Sequence, residues 1–440
     1  MSQAPASDDP MIEAGLRIAV QLAETAVGDG NGSTWHARVV VGAGDDGPLL
    51  GFGDIGPSLY DGTAGVAYAL CGAAQVAGAR TAELLRRRSM GAAYHALDAG
   101  HGLLHEGRLG LFDGATGVAL AAAVVGERLA DRDLRAQATT LASEIADRLI
   151  ANATSRPAIA ELDLLGGVAG IVLGLLALPT AVPVQRSPIR AAGAWLADAA
   201  TPQMWGMGWP TPAQAPDSPP LLGLGHGAAG IALALAEAAA QSPAGPQRGG
   251  VGIDALRAVA AQGIAYERGL FDHERTAWPD LRETADGDTP SGWMAAWCHG
   301  AIGIGLSRLR LFRLLGDASL LMDASAALHA GRNLTVAAGT ALRQGRLSDC
   351  TACHGLAGVV ELYLVAGESL GVPAHRGAAH RVARLLLEQH ELENRWPCGI
   401  AGAGEVPGLM TGTSGIALTL LRAAGANCLP TVLLPGPARW

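Results

Sequence analysis

One phrase recurs along the chain: a glycine, two residues, a second glycine and then a run of apolar residues. Successive instances begin 52 to 73 residues apart. The seven instances are GTAGVAYAL at Gly62, GATGVALAA at Gly114, GVAGIVLGL at Gly167, GAAGIALAL at Gly227, GAIGIGLSR at Gly300, GLAGVVELY at Gly355 and GTSGIALTL at Gly412. A repeat of this length is typical of architectures whose units bury their apolar faces only against one another.

Longer segments between these phrases carry charged residues on one face and apolar residues near i, i+3, i+4 and i+7. The clearest are Met11–Val27, Asp131–Ala151, Asp254–Arg268, Ser319–Arg332 and His375–His390. Each repeat therefore pairs an exposed amphipathic helix with a helix that is apolar on every side and must be buried. Seven such pairs predict an all-α fold, an (α/α)7 double toroid with seven inner and seven outer helices.

Polar residues precede most of the glycine phrases. Because the repeats are equivalent, the N-termini of all the inner helices are expected at one end of the toroid, where these residues share one mouth. The residues are Asp61, Asp113, Asp163 (four residues ahead of its glycine), His226, Cys298 with His299, Cys353 with His354, and the chemically bland Thr411.

Two of these places hold a Cys-His-Gly sequence. Cys298 and Cys353 lie 55 residues apart, in the adjacent fifth and sixth repeats. Thiolates and an imidazole on separate rigid elements are the ligands that zinc selects, so Cys298, Cys353 and His354 are predicted to bind one Zn²⁺ ion. Three protein ligands leave a fourth position open, as in catalytic zinc sites.

The other cysteines have less specific interpretations. Buried free cysteines often serve as small hydrophobic residues, and we interpret Cys71, Cys398 and Cys428 in this way. The Cys350-x-x-Cys353 spacing also allows a redox pair, with Cys350 otherwise a bystander near the metal.

The remaining polar residues each have a structural alternative. His226 and His299 are either functional or simply satisfied polar residues. Asp163 either caps the third inner helix or pairs with a catalytic histidine. Asp61 and Asp113 are expected to be caps or hydrogen-bonding groups of the rim.

Composition sets the domain organisation. With 440 residues and 49% hydrophobic residues the chain can bury an extensive core. We expect residues 1–10 to form a disordered tail and residues 11–440 to form a single domain. Gly28–Gly47 is expected to be a flexible loop, and short extended pieces are expected along the rim.

Charge and cysteine content exclude some classes of partner. A net charge of −9 does not indicate a protein that binds nucleic acid. The uncharged stretch Leu164–Val184 is interrupted by glycines and prolines, so no membrane span is expected. Six cysteines without a recognisable signal peptide predict a cytoplasmic protein.

The chain resembles the lanthionine synthetase C-like cyclases, from SLYDGTAGVAYAL near Ser58 to GLMTGTSGIALTLLR ending at Arg422. WCHGAIGIGLSRL and CHGLAGVVELYL are the most specific parts, and the pattern is closest to the cyclase domain of class II lanthipeptide synthetases. The resemblance implies a zinc-containing α/α toroid. It also implies a reaction in which precursor-peptide cysteine thiols add to dehydroalanine or dehydrobutyrine and form thioether rings.

The resemblance also implies residue roles. Cys298, Cys353 and His354 match the zinc ligands, His226 the catalytic histidine and Asp163 its partner; either His226 or His299 would handle the proton. Many free-standing members carry a tyrosine and an arginine where this chain has His299 and Met294. Without a dehydratase or kinase region in the chain, the substrate is expected to be a dehydrated precursor peptide supplied by a separate dehydratase.

Two further functions use the same residues. One is transfer of a small thiol such as glutathione onto dehydroamino acids. The other is a catalytically inactive scaffold that binds peptides.

Overall fold

The structure is a computed structural model that describes residues 9–28, 32–44, 47–156, 161–180, 182, 186–212, 214, 218–241, 252–282, 292–426 and 428–437. These residues form fourteen helices in two alternating sets. The inner helices are α2 (Thr63–Ala74), α4 (Ala115–Arg128), α6 (Val168–Ala177), α8 (Ala228–Ala240), α10 (Ala301–Leu315), α12 (Leu356–Leu370) and α14 (Thr413–Ala423). The outer helices are α1 (Pro10–Thr25), α3 (Ala79–His105), α5 (Arg132–Ser155), α7 (Arg186–Asp198), α9 (Ile253–Gly269), α11 (Leu320–Arg343) and α13 (Pro373–Glu393).

The inner helices form a closed ring. Each contacts the next in chain order, and α14 returns to contact α2. Every residue of α2 is buried, because the helix meets neighbours on both sides, the outer layer behind it and the toroid axis in front. The prediction of an all-α double toroid is confirmed.

The outer helices are amphipathic and cover this ring. α3 packs on α2, α5 on α4, α9 on α8, α11 on α10 and α13 on α12. The N-terminal helix α1 packs against α14, so the first and last helices of the chain close the circle.

The loops that lead into the inner helices are tied to one another by backbone hydrogen bonds. The seven donor–acceptor pairs are Tyr60 N to Phe112 O, Phe112 N to Leu165 O, Leu165 N to Gly225 O, Gly225 N to Cys298 O, Trp297 N to Cys353 O, Cys353 N to Met410 O, and Met410 N to Tyr60 O. Their lengths are 2.8–3.2 Å, and they link all seven loops in a circle. We call this circle the belt; because it fixes backbone positions, it also fixes the side chains that the loops carry.

The chain's last described segment, residues 428–437, lies inside the ring. Tyr68 of α2 donates a 3.0 Å hydrogen bond to Pro430 O, and Arg310 of α10 donates one of 2.9 Å to Pro437 O. From the belt, Trp297 Nε1 donates to Leu433 O at 2.8 Å. Contacts from several sides of the ring show that this segment occupies the axis beneath the belt. A cavity of about 310 Å³ remains beside it.

Two antiparallel hairpins stand outside the helical layers: β1 (His36–Gly44) with β2 (Gly47–Asp54), and β3 (Thr201–Gln203) with β4 (Gly206–Gly208). The prediction that Gly28–Gly47 is a flexible loop is therefore wrong over His36–Gly44. Its glycines and aspartates suggested a loop, but Val39, Val40 and Val41 favour a strand, and Val39 and Val40 pair with Gly51 and Leu50 of the second strand. The second hairpin matches the extended pieces expected at the rim.

The chain start is only partly described. The predicted tail at residues 1–10 falls mostly on residues 1–8, outside the described residues. α1 begins at Pro10, where the Asp9 side chain accepts a 2.8 Å hydrogen bond from Met11 N. In the described part of the chain, no helix combines the length and apolar character needed to cross a bilayer.

Candidate metal centre and catalytic site

The belt places the predicted metal ligands on adjoining loops. Cys298 lies two residues before Gly300, and Cys353 two residues before Gly355, so the two cysteines occupy the same position in their repeats. The bond from Trp297 N to Cys353 O, 2.8 Å long, joins these loops directly. Both cysteines are buried, whereas His354 is half-buried at the mouth.

The side chains of Cys298, Cys353 and His354 converge. Their potential ligand atoms, two sulfurs and an imidazole nitrogen, all lie within 4.8 Å of one another. Zinc–sulfur bonds of about 2.3 Å in a tetrahedral site place two sulfurs roughly 3.8 Å apart, so a cluster of this size matches a zinc ion. The donor set fits as well, because two thiolates and one imidazole leave one position open.

The electrostatics of the two thiols differ. Hydrogen bonding from Cys353, and then from His354, holds the pKa of Cys298 well below that of an ordinary thiol despite burial. Burial, and then the Cys298 thiolate beside it, raise the pKa of Cys353. The first proton therefore leaves the pair at Cys298, and a bound cation would favour loss of the second.

His226 and Asp163 form an ion pair beside this cluster. His226 Nδ1 lies 2.7 Å from Asp163 Oδ2. Burial disfavours the imidazolium, but hydrogen bonding and charge attraction from Asp163, with the Cys298 thiolate, outweigh it and raise the pKa of His226.

Asp163 has a second set of contacts. Its other carboxylate oxygen accepts hydrogen bonds from Gly166 N (2.9 Å) and Gly167 N (3.0 Å). From the sequence, helix capping and pairing with a histidine were alternative roles for Asp163. In the structure Asp163 does both, because one carboxylate oxygen faces the backbone N–H groups and the other faces His226.

His299 stacks on His226, with ring centroids 5.1 Å apart and planes at 19°. It is 5% exposed, and its Nδ1 atom is buried without a hydrogen-bond partner among the described residues. Burial, followed by the positive charges of His226 and Arg282, lowers the pKa of His299 to about 4. His299 is therefore a neutral imidazole at neutral pH, and its pKa is shifted in the opposite direction from that of His226.

Asp61 and Thr411 lie on the first and seventh loops, next to the loop of Cys353 in the belt. Thr411 donates to Asp61 through its backbone N at 3.0 Å and through its hydroxyl at 2.5 Å. These bonds connect the first and seventh loops, which agrees with the expectation that Asp61 is a rim hydrogen-bonding group. Burial raises the pKa of Asp61 and also that of Asp113, which packs against Gly110 and Gly166.

The remaining described cysteines are free thiols that are not members of the ligand cluster. Cys71, Cys350 and Cys428 are buried and Cys398 is partly exposed. Burial raises the pKa of Cys71 to about 12, of Cys398 to about 12 and of Cys428 to about 11. Thiols with such values are weak nucleophiles. Cys350 lies close to Gln389 Nε2, 3.5 Å away, rather than in a disulfide.

Tyr60 is a further residue of the site, one not predicted from the sequence. Its hydroxyl lies 3.0 Å from Cys353 Sγ. Burial, followed by the charges of Cys353 and Cys298, raises its pKa well above that of an ordinary phenol, so the hydroxyl stays protonated. A signal was present, because Tyr60 stands two residues before Gly62, the position that Cys298 and Cys353 hold in their repeats.

Arg282 was also not predicted from the sequence as a residue of the site. Its guanidinium is anchored by Asp280, with Nη2 to Oδ2 at 2.6 Å, and reaches Met294 Sδ at 3.4 Å. It precedes the fifth glycine phrase by eighteen residues (300 − 282), too far for the repeat pattern to mark it.

Comparisons with known proteins agree with this architecture. A family model described as lanthionine synthetase C-like protein matches residues 53–434. A solved structure of nisin cyclase superimposes with a TM-score of 0.59 and 19% sequence identity, covering 84% of this chain and 89% of the other. At this identity the similarity concerns the fold. A search of curated proteins gave no match.

Proposed function

The chain belongs to the lanthionine synthetase C-like family, and from this premise we propose that it is a zinc-dependent peptide cyclase. Its substrate would be a dehydrated precursor peptide, and its products (methyl)lanthionine thioether rings. The observation that carries the proposal is the buried cluster of Cys298, Cys353 and His354 with the His226–Asp163 pair beside it. Together they supply a thiol-activating centre and a proton donor at one mouth.

Cys298, Cys353 and His354 would hold the zinc ion. When bound, zinc holds a substrate thiol as a thiolate at neutral pH, where a free thiol with a pKa near 8.5 is mostly protonated. The ligands lie at the N-terminal ends of the inner helices, and the peptide would approach from the mouth, where His354 is half-buried.

The bond-forming step is an addition without any redox change. The cysteine thiolate of the peptide forms a carbon–sulfur bond at the β-carbon of the dehydro residue. The electron pair of the carbon–carbon double bond moves toward the carbonyl and gives an enolate. A proton then reaches the α-carbon, so the thiol has added across the double bond.

His226 is the group we assign to that proton transfer. Its raised pKa makes it an imidazolium over more of the neutral range than an ordinary histidine. Asp163 would hold the ring with Nδ1 toward the carboxylate, which leaves Nε2 for the substrate. His299, neutral and stacked on His226, would keep that ring in place rather than exchange the proton itself.

The substrate and compartment follow from this chemistry. A dehydrated peptide requires a dehydratase, which we propose is a separate protein. The six free cysteines suit a reducing compartment, and the cytoplasm is the proposed location.

The direct test is incubation of the zinc-loaded protein with a dehydrated peptide containing one cysteine. After alkylation of free thiols, mass spectrometry should show loss of alkylatable cysteine with no change in peptide mass. Added glutathione distinguishes the transferase alternative: a mass increase by glutathione, with the cysteine still alkylatable, would replace the cyclase proposal.

Metal analysis tests the three proposed zinc ligands. Cys298→Ala should lose bound zinc, whereas Cys428→Ala, which removes a buried thiol elsewhere, should retain it. Equal zinc content in these two variants would contradict the ligand assignment.

A further inference from the structure

Tyr60 is held rigidly next to the candidate metal centre. Its backbone N donates to Phe112 O at 2.8 Å, and its backbone O accepts from Leu409 N at 3.0 Å and from Met410 N at 2.8 Å. The phenol ring packs edge-on against Phe112, with centroids 6.2 Å apart and planes at 85°. Both ends of the residue are therefore fixed by the belt and by ring packing.

The Tyr60 hydroxyl is aimed at Cys353. The 3.0 Å separation of oxygen and Cys353 Sγ is a hydrogen bond in which the hydroxyl donates and the sulfur accepts. The contact spans three loops of the belt. Tyr60 lies on the loop before α2 and Cys353 on the loop before α12. The loop of Met410, whose backbone O accepts a hydrogen bond from Cys353 N, lies between them. Hydrogen bonds to an ionised acceptor are stronger than those between neutral groups.

We propose that Tyr60 is a positioning residue of the metal centre, whose hydroxyl orients Cys353 Sγ toward the ion and draws charge from that thiolate. Orientation pre-organises the ligand and raises metal affinity, as partners of metal ligands commonly do. Charge withdrawal has a second consequence, which rests on the proposed function. A substrate thiolate that lacks this hydrogen bond is a stronger nucleophile than Cys353, so the peptide sulfur rather than the protein sulfur attacks the dehydro residue.

The chain offers a matched control at Tyr68. Its hydroxyl also donates a 3.0 Å hydrogen bond, to the backbone oxygen of Pro430, and its ring is buried in the first repeat. Tyr60→Phe and Tyr68→Phe thus each delete one hydrogen-bonded, part-buried phenol hydroxyl. Only Tyr60→Phe deletes a partner of a metal ligand.

Metal affinity is the first measurement, by competition for zinc with a chromophoric chelator. Tyr60→Phe should weaken zinc binding about 10- to 100-fold, and Tyr68→Phe should bind zinc like the wild type. Wild-type affinity in Tyr60→Phe, or an equal loss in both variants, would overturn the proposal.

The absorption spectrum of the cobalt(II)-substituted protein is the second measurement. Without the hydrogen bond, the Cys353 thiolate is richer in electrons, so the sulfur-to-cobalt charge-transfer band of Tyr60→Phe should move to longer wavelength. An unchanged band would contradict the charge-withdrawal half of the proposal.

Thermal unfolding of the metal-free proteins tests whether a folding defect explains a loss of zinc affinity. Tyr60→Phe and Tyr68→Phe should unfold at similar temperatures without metal, and their difference should emerge only when zinc is bound. None of these measurements needs turnover. If Tyr60→Phe loses affinity but no peptide is cyclised by the wild type, the proposed function fails while the role of Tyr60 in metal binding stands.

Discussion

At the scale of single residues, the site contains two stacked histidines whose pKa values are shifted in opposite directions. His226 and His299 are 5.1 Å apart, yet one has a raised pKa and the other a pKa of about 4. The difference comes from their partners, because Asp163 pairs with His226 and the His299 Nδ1 atom is buried without a described partner. Two groups whose environments separate their pKa values are suited to different tasks.

Asp163→Asn tests this separation. The amide keeps an oxygen for Gly166 N and Gly167 N but replaces the carboxylate facing His226, so the pKa of His226 should fall. A histidine with a raised pKa acts as an acid below that pKa and loses its proton as pH rises through it. The alkaline limb of the kcat profile should therefore move to lower pH, and kcat at neutral pH should fall at least about 100-fold.

The pH–rate profile and the zinc content are measured together for Asp163→Asn. Zinc content should stay at the wild-type level, because Asp163 contacts none of the three proposed ligands through a described hydrogen bond. An alkaline limb at the wild-type pH would show that His226 is not the proton donor.

At the scale of elements, the N-terminus of α10 couples helix geometry to the proposed metal ligands. Gly300 caps α10 with φ +98°, and a Cβ atom there would lie 1.7 Å from Met294 O. Only glycine fits both the conformation and the space. Because Cys298 and His299 come directly before Gly300, their side-chain positions depend on this turn.

Gly300→Ala should therefore affect both folding and metal binding. The clash requires the turn that carries Cys298 to move, so we expect a loss of at least about 3 kcal/mol in the free energy of unfolding and much weaker zinc binding. Urea denaturation and zinc competition are the measurements.

Gly316→Ala is the control at the other end of the same helix. Gly316 has φ +70°, but a Cβ atom there meets nothing within 4 Å. It should cost about 1 kcal/mol from backbone strain and leave zinc affinity unchanged. Similar effects of the two variants would show that α10 stability, not the turn, controls the site.

At the scale of the whole molecule, we expect stability to depend on closure of the circle. The described chain begins at an outer helix and ends within the inner ring, so the contact of α1 with α14 joins its two ends. Ion pairs between helices also stabilise the ring at other places. They are Arg308 with Glu267 (2.6 Å), Arg310 with Glu237 (2.6 Å) and Arg422 with Glu361 (3.0 Å). Each pair connects helices from different repeats, and removing one partner would leave a buried charge, which typically costs about 3–5 kcal/mol.

Gly15→Val tests the closure. Gly15 of α1 lies at a close approach of the two helices, since a Cβ atom there would lie 2.9 Å from Leu421 Cγ and 3.0 Å from Ala417 O. Wedging the helices apart should lower the free energy of unfolding by about 1–3 kcal/mol in urea denaturation.

Gly102→Ala in the outer helix α3 is the matched control, because a Cβ atom there meets nothing within 4 Å. It should stabilise the protein by about 0.5–1 kcal/mol. Destabilisation by Gly102→Ala of the same size as that by Gly15→Val would indicate that helix glycines in general, not the α1–α14 contact, set the stability.

The sequence predicted much of this fold because the same pattern of glycines and apolar residues occurs seven times. The Gly-x-x-Gly phrases mark the starts of all seven inner helices, and the amphipathic segments mark five of the outer ones. β1 was missed, since valines between glycine-rich stretches are a short signal that only pairing with Leu49–Asp54 stabilises. Arg282 was missed for a related reason: a salt-bridged arginine in an irregular segment has no periodicity.

The sequence by itself determined the helical architecture, the sulfur and imidazole donors and their equivalent repeat positions, because periodicity and residue chemistry are local properties. Tertiary structure decided what depends on distances between loops. It made Asp163 both a cap and the partner of His226, gave His226 and His299 opposite pKa shifts, and brought the Tyr60 hydroxyl to Cys353. Burial and through-space charge set these properties, and both arise only when the belt closes and brings side chains from separate repeats within a few ångströms of one another.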